Sequence, residues 1–567
     1  MRKEIEFLMA IGVALVGCGI GSAAPLTPLQ ALSRLEREDS DVRKSRDMAQ
    51  PRLLKTVNDS HDNPSIYIFS YDGSQGFMLL PADDNVMPLL GFSEDGVFDP
   101  DNIPPALQYW LSGYSEDISD VATHPENAVR KVKRRVEREE IPVMVQANWD
   151  QNAPYNKYCP PWEIGGFYDP SKAGCVAVAI AEMTSYWRYP GKGYGFISYN
   201  WYRDSVGPIL ELDADSIYID WDQILDSYYN VSYTEEQAEN VAQLIRICAY
   251  LAHSDFGPNN TGAKAEAITP RIVENLGFHN SAKQGFRSHF DEDEWEEMMY
   301  QSLKNYGPIV YSGYEGMSGH CFVMDGYRDN GYFHFNWGWG GVYNCYLTLS
   351  NLCVGGYSFV NSQRCTYDLR PADPEIVPRG MKLDGTEMDI LPVVPSHNVE
   401  DSEEETDSKI EIPIYQVDEL AEFAIDFEFE MTKGLMESDI MVIVYDTDPD
   451  TWEASEEILK EVVAEDVKMQ LGTLAISHTV SLPREDNDEK VYTVALAYQN
   501  KWDEELVPFS VFRVATKGMT PTMIVAPSSD DGAAVLYYNL QGVRIDNPRQ
   551  GHFVIRRAGR TTEKIIL

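Results

Sequence analysis

Ala173-Gly174-Cys175-Val176-Ala177-Val178-Ala179-Ile180-Ala181-Glu182-Met183 is the stretch on which the reading of this chain turns. Small residues open it and an apolar, Ala-rich run follows, which predicts a buried helix beginning at or near Cys175. A helix N-terminus offers unpaired N–H groups and a partial positive charge, and both stabilise a thiolate. A buried structural cysteine fits the same residues, and the helix alone favours that reading.

Working outward, a thiol nucleophile needs a histidine and a group that orients it. Ser318-Gly319-His320-Cys321-Phe322-Val323-Met324-Asp325-Gly326-Tyr327 places His320 at the start of a strand. A turn at Arg328-Asp329-Asn330-Gly331 follows, then a second strand, Tyr332-Phe333-His334-Phe335-Asn336-Trp337. The two predict a hairpin, with Asn336 near His320 on one face. His320 lies 145 positions after Cys175, inside the roughly 130–150 residue spacing of papain-like enzymes. His334 competes for the role, and alternation alone does not remove it. Trp337-Gly338-Trp339-Gly340-Gly341 combines tight backbone turns with rings that can roof a site and exclude water.

The chain has 567 residues, which at ~150 per domain gives a prior of about four domains. With 46 Lys+Arg against 90 Asp+Glu the net charge is −44, which argues against nucleic acid as a partner. Eight cysteines are too few for a disulfide scaffold; the six after the leader other than Cys175 (159, 248, 321, 345, 353 and 365) leave any pairing open. No CxxC pair or HExxH motif occurs, so neither a metal nor another cofactor is expected. Arg2 and Lys3, an apolar run from Phe7 to Gly17 and small residues to Ala24 read as an export signal. Cleavage before Ala24 competes with a lipoprotein box, Leu15-Val16-Gly17-Cys18, in which Cys18 is the lipidation candidate and a lipid the only membrane contact.

Ser65 to Leu80 reads as a hairpin, and Pro104-Pro105-Ala106-Leu107 opens a helix. Arg130 to Arg138 is basic and suits proteolytic nicking, or is a solvated helix face. Val399 to Ser408 is an acidic linker candidate, and short alternating runs from Ile410 to Phe512 predict a β-sandwich. Three more strand-like runs lie around Gly542 and Gly551; they resemble exported-protein sorting domains, or are a plain terminal β-module.

Trp149-Asp150-Gln151-Asn152-Ala153-Pro154-Tyr155-Asn156, Gly174-Cys175-Val176-Ala177, Gly319-His320 with Asp325-Gly326-Tyr327, and Asn336-Trp337-Gly338-Trp339-Gly340-Gly341 occur in this order. In that order they resemble the motifs of streptopain-type cysteine peptidases, secreted bacterial proteases of papain-like fold. Phe77 to Leu111 resembles that family's inhibitory propeptide. The resemblance implies Cys175 as nucleophile, His320 as general acid/base, Gln151 as an oxyanion donor, Asn336 as the orienting group, and Trp337 as an aromatic neighbour of the histidine. It also implies Ser312 and Gly313 in the substrate cleft, and Trp339 is a further substrate-binding candidate. The chain departs from the family at Val178 and Glu182, where Thr and Gln are frequent, at Cys321, and around His253-Ser254-Asp255.

The implied architecture is α+β. A signal (1–24) and a propeptide (25–140) precede a two-lobed papain-like domain (141–372). An acidic linker (373–409), a β-sandwich-like domain (410–525) and a terminal β module (526–567) follow. The implied function is a secreted or surface-anchored cysteine endopeptidase, made as a zymogen and acting on protein or peptide substrates, with its own propeptide as inhibitor. Two rivals are a different Cys/His amidase or acyl transferase, and a catalytically silent surface-binding protein.

Overall fold

A computed structural model describes residues 25–38, 51–70, 76–128, 138–164, 167–201, 208–315, 318–328, 331–349, 363–388, 414–417, 421–447, 454–482, 490–502, 504–516, and strands at 535–539, 544–545, 553–558 and 561–566. The signal segment with Cys18, most of the basic stretch and the acidic run 399–408 lie outside them.

The N-terminal part holds helix α1 (Pro28–Glu38), strands β1 (Arg52–Asn58), β2 (Pro64–Ser70), β3 (Phe77–Pro81) and β4 (Gly91–Ser93), and helix α2 (Pro105–Thr123). β2 and β3 form the expected antiparallel hairpin. α2 starts where its prolines direct: Pro105 sits in the first turn, where a missing N–H costs nothing.

Two short hairpins, β5–β6 (Trp162–Ile164, Phe167–Asp169) and β7–β8 (Phe196–Asn200, Ile209–Asp213), flank the helical lobe. That lobe packs α3 (Cys175–Trp187), α4 (Glu235–Leu251) and α5 (Ile268–Leu276) around one apolar core. α3 is buried along nearly its whole length, and its Ala177, Ala179 and Ala181 permit close packing. α4 begins with a complete capping box between Thr234 and Gln237, which satisfies two of its orphan N–H groups.

The sheet lobe adds β9 (Lys283–Phe286), α6 (Glu292–Tyr306), β10 (Ile309–Glu315), β11 (Ser318–Arg328), β12 (Tyr332–Asn336), β13 (Cys345–Thr348) and β14 (Arg364–Tyr367). Its ten strands run in the order β1-β2-β3-β4-β13-β12-β11-β10-β14-β9. The N-terminal strands therefore join the same sheet as the His320 hairpin, through Tyr346 opposite Phe92 and Leu347 opposite Gly91. A Cβ at Gly91 would come 2.3 Å from Leu347 Cδ2, so the close approach needs glycine. One core, with Trp110, Tyr114, Tyr311, Phe322, Phe335 and Trp337, is shared by α2 and this sheet.

Beyond residue 372, β15 (Glu375–Leu383), β16 (Thr386–Glu387), β18 (Glu422–Lys433) and β21 (Gly472–Ser481) form one sheet. β17 (Ile414–Val417), β19 (Met436–Thr447), β20 (Ala454–Met469), β22 (Val491–Gln499) and β23 (Leu506–Thr516) form the other. Side chains from both meet in one core, as in a sandwich. Residues 375–383, expected within the acidic linker, instead pair along β18. Strand pairing, which charge density does not report, draws them into the domain. The C-terminal strands β24 (Val535–Asn539), β25 (Arg544–Ile545), β26 (Phe553–Ala558) and β27 (Thr561–Ile566) make a separate sheet. The molecule thus has the expected α+β plan: an N-terminal unit, a helical lobe against a sheet lobe, then β domains.

Candidate active site

The site is assembled where α3 begins against β11. Gly174 caps α3 with φ 93°, a left-handed conformation, and a Cβ there would come 2.9 Å from Thr261 Cγ2. Thr261 also holds the entering chain, donating from Oγ1 to Lys172 O at 2.7 Å. On the other side Ala173 N donates to Gln151 O at 3.0 Å. The segment carrying Gln151 is thereby fixed two residues from Cys175.

Cys175 is half-buried at the first position of α3. Burial raises its thiol above the ordinary value, while the backbone N–H groups of Cys321, Val176 and Cys175 itself pull it back down. The Cys321 N–H belongs to β11, so the thiol touches both lobes. His320 precedes it, half-buried, and burial lowers its imidazole below the ordinary value. Both shifts favour the uncharged form.

The ladder explains part of this. His320 lies opposite Gly313 on β10, and directly opposed residues share a face. A Cβ at Gly313 would come 2.4 Å from Tyr109 Cε1, so this face lies under the ring of Tyr109 on α2. Cys321 and Val323, which alternate with His320, join the helical-lobe core instead. Ser312 is opposite Cys321 and is 3% exposed.

Asn336 pairs with Val323 rather than with a residue next to His320. It is buried; its Nδ2 donates to Ala147 O at 2.7 Å and its Oδ1 accepts from Gly338 N at 3.1 Å. Trp337 is buried among Phe322, Phe335 and Trp110, with Nε1 donating to Tyr343 O at 2.9 Å. Gly338, Gly340 and Gly341 have φ of 65°, 66° and 77°, the turn the Trp-Gly run predicts, and Trp339 between them is exposed. Gly340 N donates to Trp149 O at 2.8 Å, which ties this turn to the Gln151 segment.

His334 has a different place. Its Nδ1 lies 2.6 Å from Asp325 Oδ1 inside the sheet, and Asp325 Oδ2 accepts from Val145 N. A bulge at Asp325 permits this pairing. The structure so separates the two histidines: His334 is held by Asp325, and His320 sits beside the residue that contacts the Cys175 sulfur. The cysteines 159, 175, 248, 321, 345 and 365 are all unpaired thiols.

Two features escaped the sequence reading. Tyr109 and Trp110 reach the His320 face, a long-range contact with no local signal. Glu182, noted only as a departure, is fully buried seven residues after Cys175, on the same side of α3. A lone acid in an apolar helix was the available clue.

Residues 149–347 match the Peptidase C10 family, and residues 31–118 match the Spi protease inhibitor family. Among curated proteins the chain is similar to thiol protease/hemagglutinin PrtT of Porphyromonas gingivalis, 28% identical over 55% of this chain and 38% of that protein. It is also similar to streptopain of Streptococcus pyogenes, 27% identical over 62% of this chain and 94% of that one. Among solved structures, a prointerpain A fragment of Prevotella intermedia aligns with TM-score 0.49 and 27% identity, covering 56% of this chain and 98% of the fragment. A peptidase match and an inhibitor match in one polypeptide, with a half-buried cysteine at a helix start beside the histidine strand, support a streptopain-type cysteine peptidase.

Proposed function

We propose that the chain is the zymogen of an exported cysteine endopeptidase, with residues 25–140 as the inhibitory propeptide and 141–372 as the peptidase. Cys175 is the nucleophile and His320 the general acid/base. The Cys175 thiolate attacks the peptide carbonyl carbon, forming a C–S bond. The Gln151 side-chain amide and the Cys175 N–H hold the oxyanion, each such donor being worth up to roughly 10²–10³ in rate. His320, holding the thiol proton, gives it to the leaving amine as the C–N bond breaks. Water then attacks the thioester, His320 takes its proton, and the thiol is restored as the acid leaves. Asn336 and Trp337 position the histidine strand, and Ser312, Gly313 and Trp339 line the substrate cleft.

The observation that carries this reading is the half-buried thiol at the start of α3, in contact with the strand that presents His320. The covering of the same strand by α2 supports inhibition by the N-terminal unit. While Tyr109 lies over Gly313, burial holds the imidazole below and the thiol above its ordinary value. Removing α2 admits water and substrate together. Export rests on the charged, apolar, small-residue order of residues 1–24, with Cys18 as the candidate lipid site.

The test is hydrolysis of an unfolded protein by the reduced chain, started by a trace of outside protease and read by mass. Cleavage that stops with iodoacetamide on Cys175 is expected. No hydrolysis, together with an unlabelled Cys175, rejects the reading.

A further inference from the structure

Glu182 stands where three separate segments of the site meet. It lies on α3 two turns beyond Cys175. Its Oε1 accepts from Trp149 N at 3.0 Å, at the head of the segment that carries Gln151. The Asn336 side chain, at the end of β12, lies against the same carboxyl. The second oxygen, Oε2, is buried without a hydrogen-bond partner among the described residues, 3.7 Å from where a Cβ on Gly338 would stand. We propose that Glu182 is a positioning residue for the proposed peptidase: its carboxyl clasps the Gln151 segment and the Asn336–Gly341 turn to the helix that carries Cys175.

The clasp works as the neutral acid. The charged groups that face it are Asp325 on β11 and Asp150 beside Trp149, both of the same sign as an ionised Glu182. β12 presents the neutral Asn336 amide. The buried residues of α4, which packs on α3, include the titratable Cys248 and Tyr250 and no cation. Complete burial and these carboxylates push the Glu182 carboxyl well above its ordinary value of 4.5. An ionised carboxylate would leave Oε2 as a buried anion with no donor facing it, whereas a proton removes that charge.

A glutamine at 182 keeps the shape and the neutral polar character and cannot ionise. The linkage has a definite sign. A carboxyl whose folded value is raised stabilises the fold at low pH only, and that stability falls from the unfolded value near 4.5 up to the folded value. Across that window the unfolding equilibrium constant of a chain with Glu182 rises about tenfold per pH unit relative to E182Q.

The experiment compares E182Q with its parent, both as full chains carrying Cys175→Ala, by urea unfolding from pH 5 to 9. A gap that widens with pH above 5, by up to about tenfold per unit, and levels off once Glu182 ionises in the fold is expected; parallel profiles overturn the proposal. It rests on the peptidase reading, so activity is followed in the Cys175 chain too. E182Q should keep kcat near pH 6 and carry activity to higher pH, while E182A should lose kcat about tenfold or more with KM within about threefold. An unchanged alkaline limb in E182Q overturns the positioning role even if E182A fails to fold. A parent that hydrolyses nothing at any pH instead rejects the peptidase reading, while the unfolding profiles still decide the ionisation of Glu182.

Discussion

Gly313→Ala should loosen the N-terminal unit while leaving the mature enzyme folded. A methyl at 313 would stand 2.4 Å from Tyr109 Cε1 and 3.0 Å from both Cδ1 and Cζ. Ordinary carbon–carbon contact is ~3.5 Å or more, so the ring must retreat by about an ångström. Tyr109 is 6% exposed and its neighbour Trp110 is fully buried, so there is little room to retreat. Overpacking of this kind costs about 1–3 kcal/mol. Lifting α2 relieves the clash, so the cost should appear in local opening, as a rise of roughly 5- to 150-fold in hydrogen exchange at the α2 amides. Global stability should fall less, because alanine also restricts the unfolded chain by about 0.4–1 kcal/mol. The assay is exchange mass spectrometry on full chains carrying Cys175→Ala, with Tyr109→Ala as the second arm of a cycle. In the Tyr109→Ala background the three closest atoms to the added methyl are gone, and most of its cost should vanish. Equal acceleration in both backgrounds would refute the contact, and with it the account of how α2 covers the histidine strand.

Three further outcomes follow from the same geometry. In the unprocessed chain, burial holds the Cys175 thiol up and the His320 imidazole down; alkylation of Cys175, followed by intact mass, should rise only toward alkaline pH. After processing it should gain a reactive limb at lower pH. Thiol titration of the unfolded, processed chain should find cysteines 159, 175, 248, 321, 345 and 365 all free, while among these six described cysteines the native protein exposes Cys175 first, since the other five are buried. Trp502 packs on Trp187 at the far end of α3, with ring centroids 5.3 Å apart and Arg370 over its face. Trp502→Ala should therefore destabilise the junction between peptidase and sandwich by about 2–4 kcal/mol, read as a lowered or split thermal transition.

What the sequence disclosed was local. The hairpin at 66–80, the helix from Pro105, the helix from Cys175 and the pair of strands around His320 all follow from alternation, prolines and small residues within a few positions. What it concealed depends on register and distance. No local pattern announces that β4 pairs with β13, or that the edge of an acidic run pairs with β18. The expected approach of Asn336 to His320 depended on ladder register. In the structure Asn336 faces Val323, and its amide is engaged by Ala147 and Gly338. Glu182 illustrates the same limit at one residue. Its burial was readable from the apolar helix, but its partners Trp149 and Asn336 come from segments 33 positions before and 154 after it.

The central claim is that Cys175 is the nucleophile of a zymogen that its own N-terminal unit restrains. Its most direct test is the intact mass of residues 25–567 under reductant, beside the same chain with Cys175→Ala. The account predicts that the first cuts itself between about 125 and 150, within or beside the basic stretch, and that the variant stays whole. Self-cleavage by the variant at the same rate would contradict it.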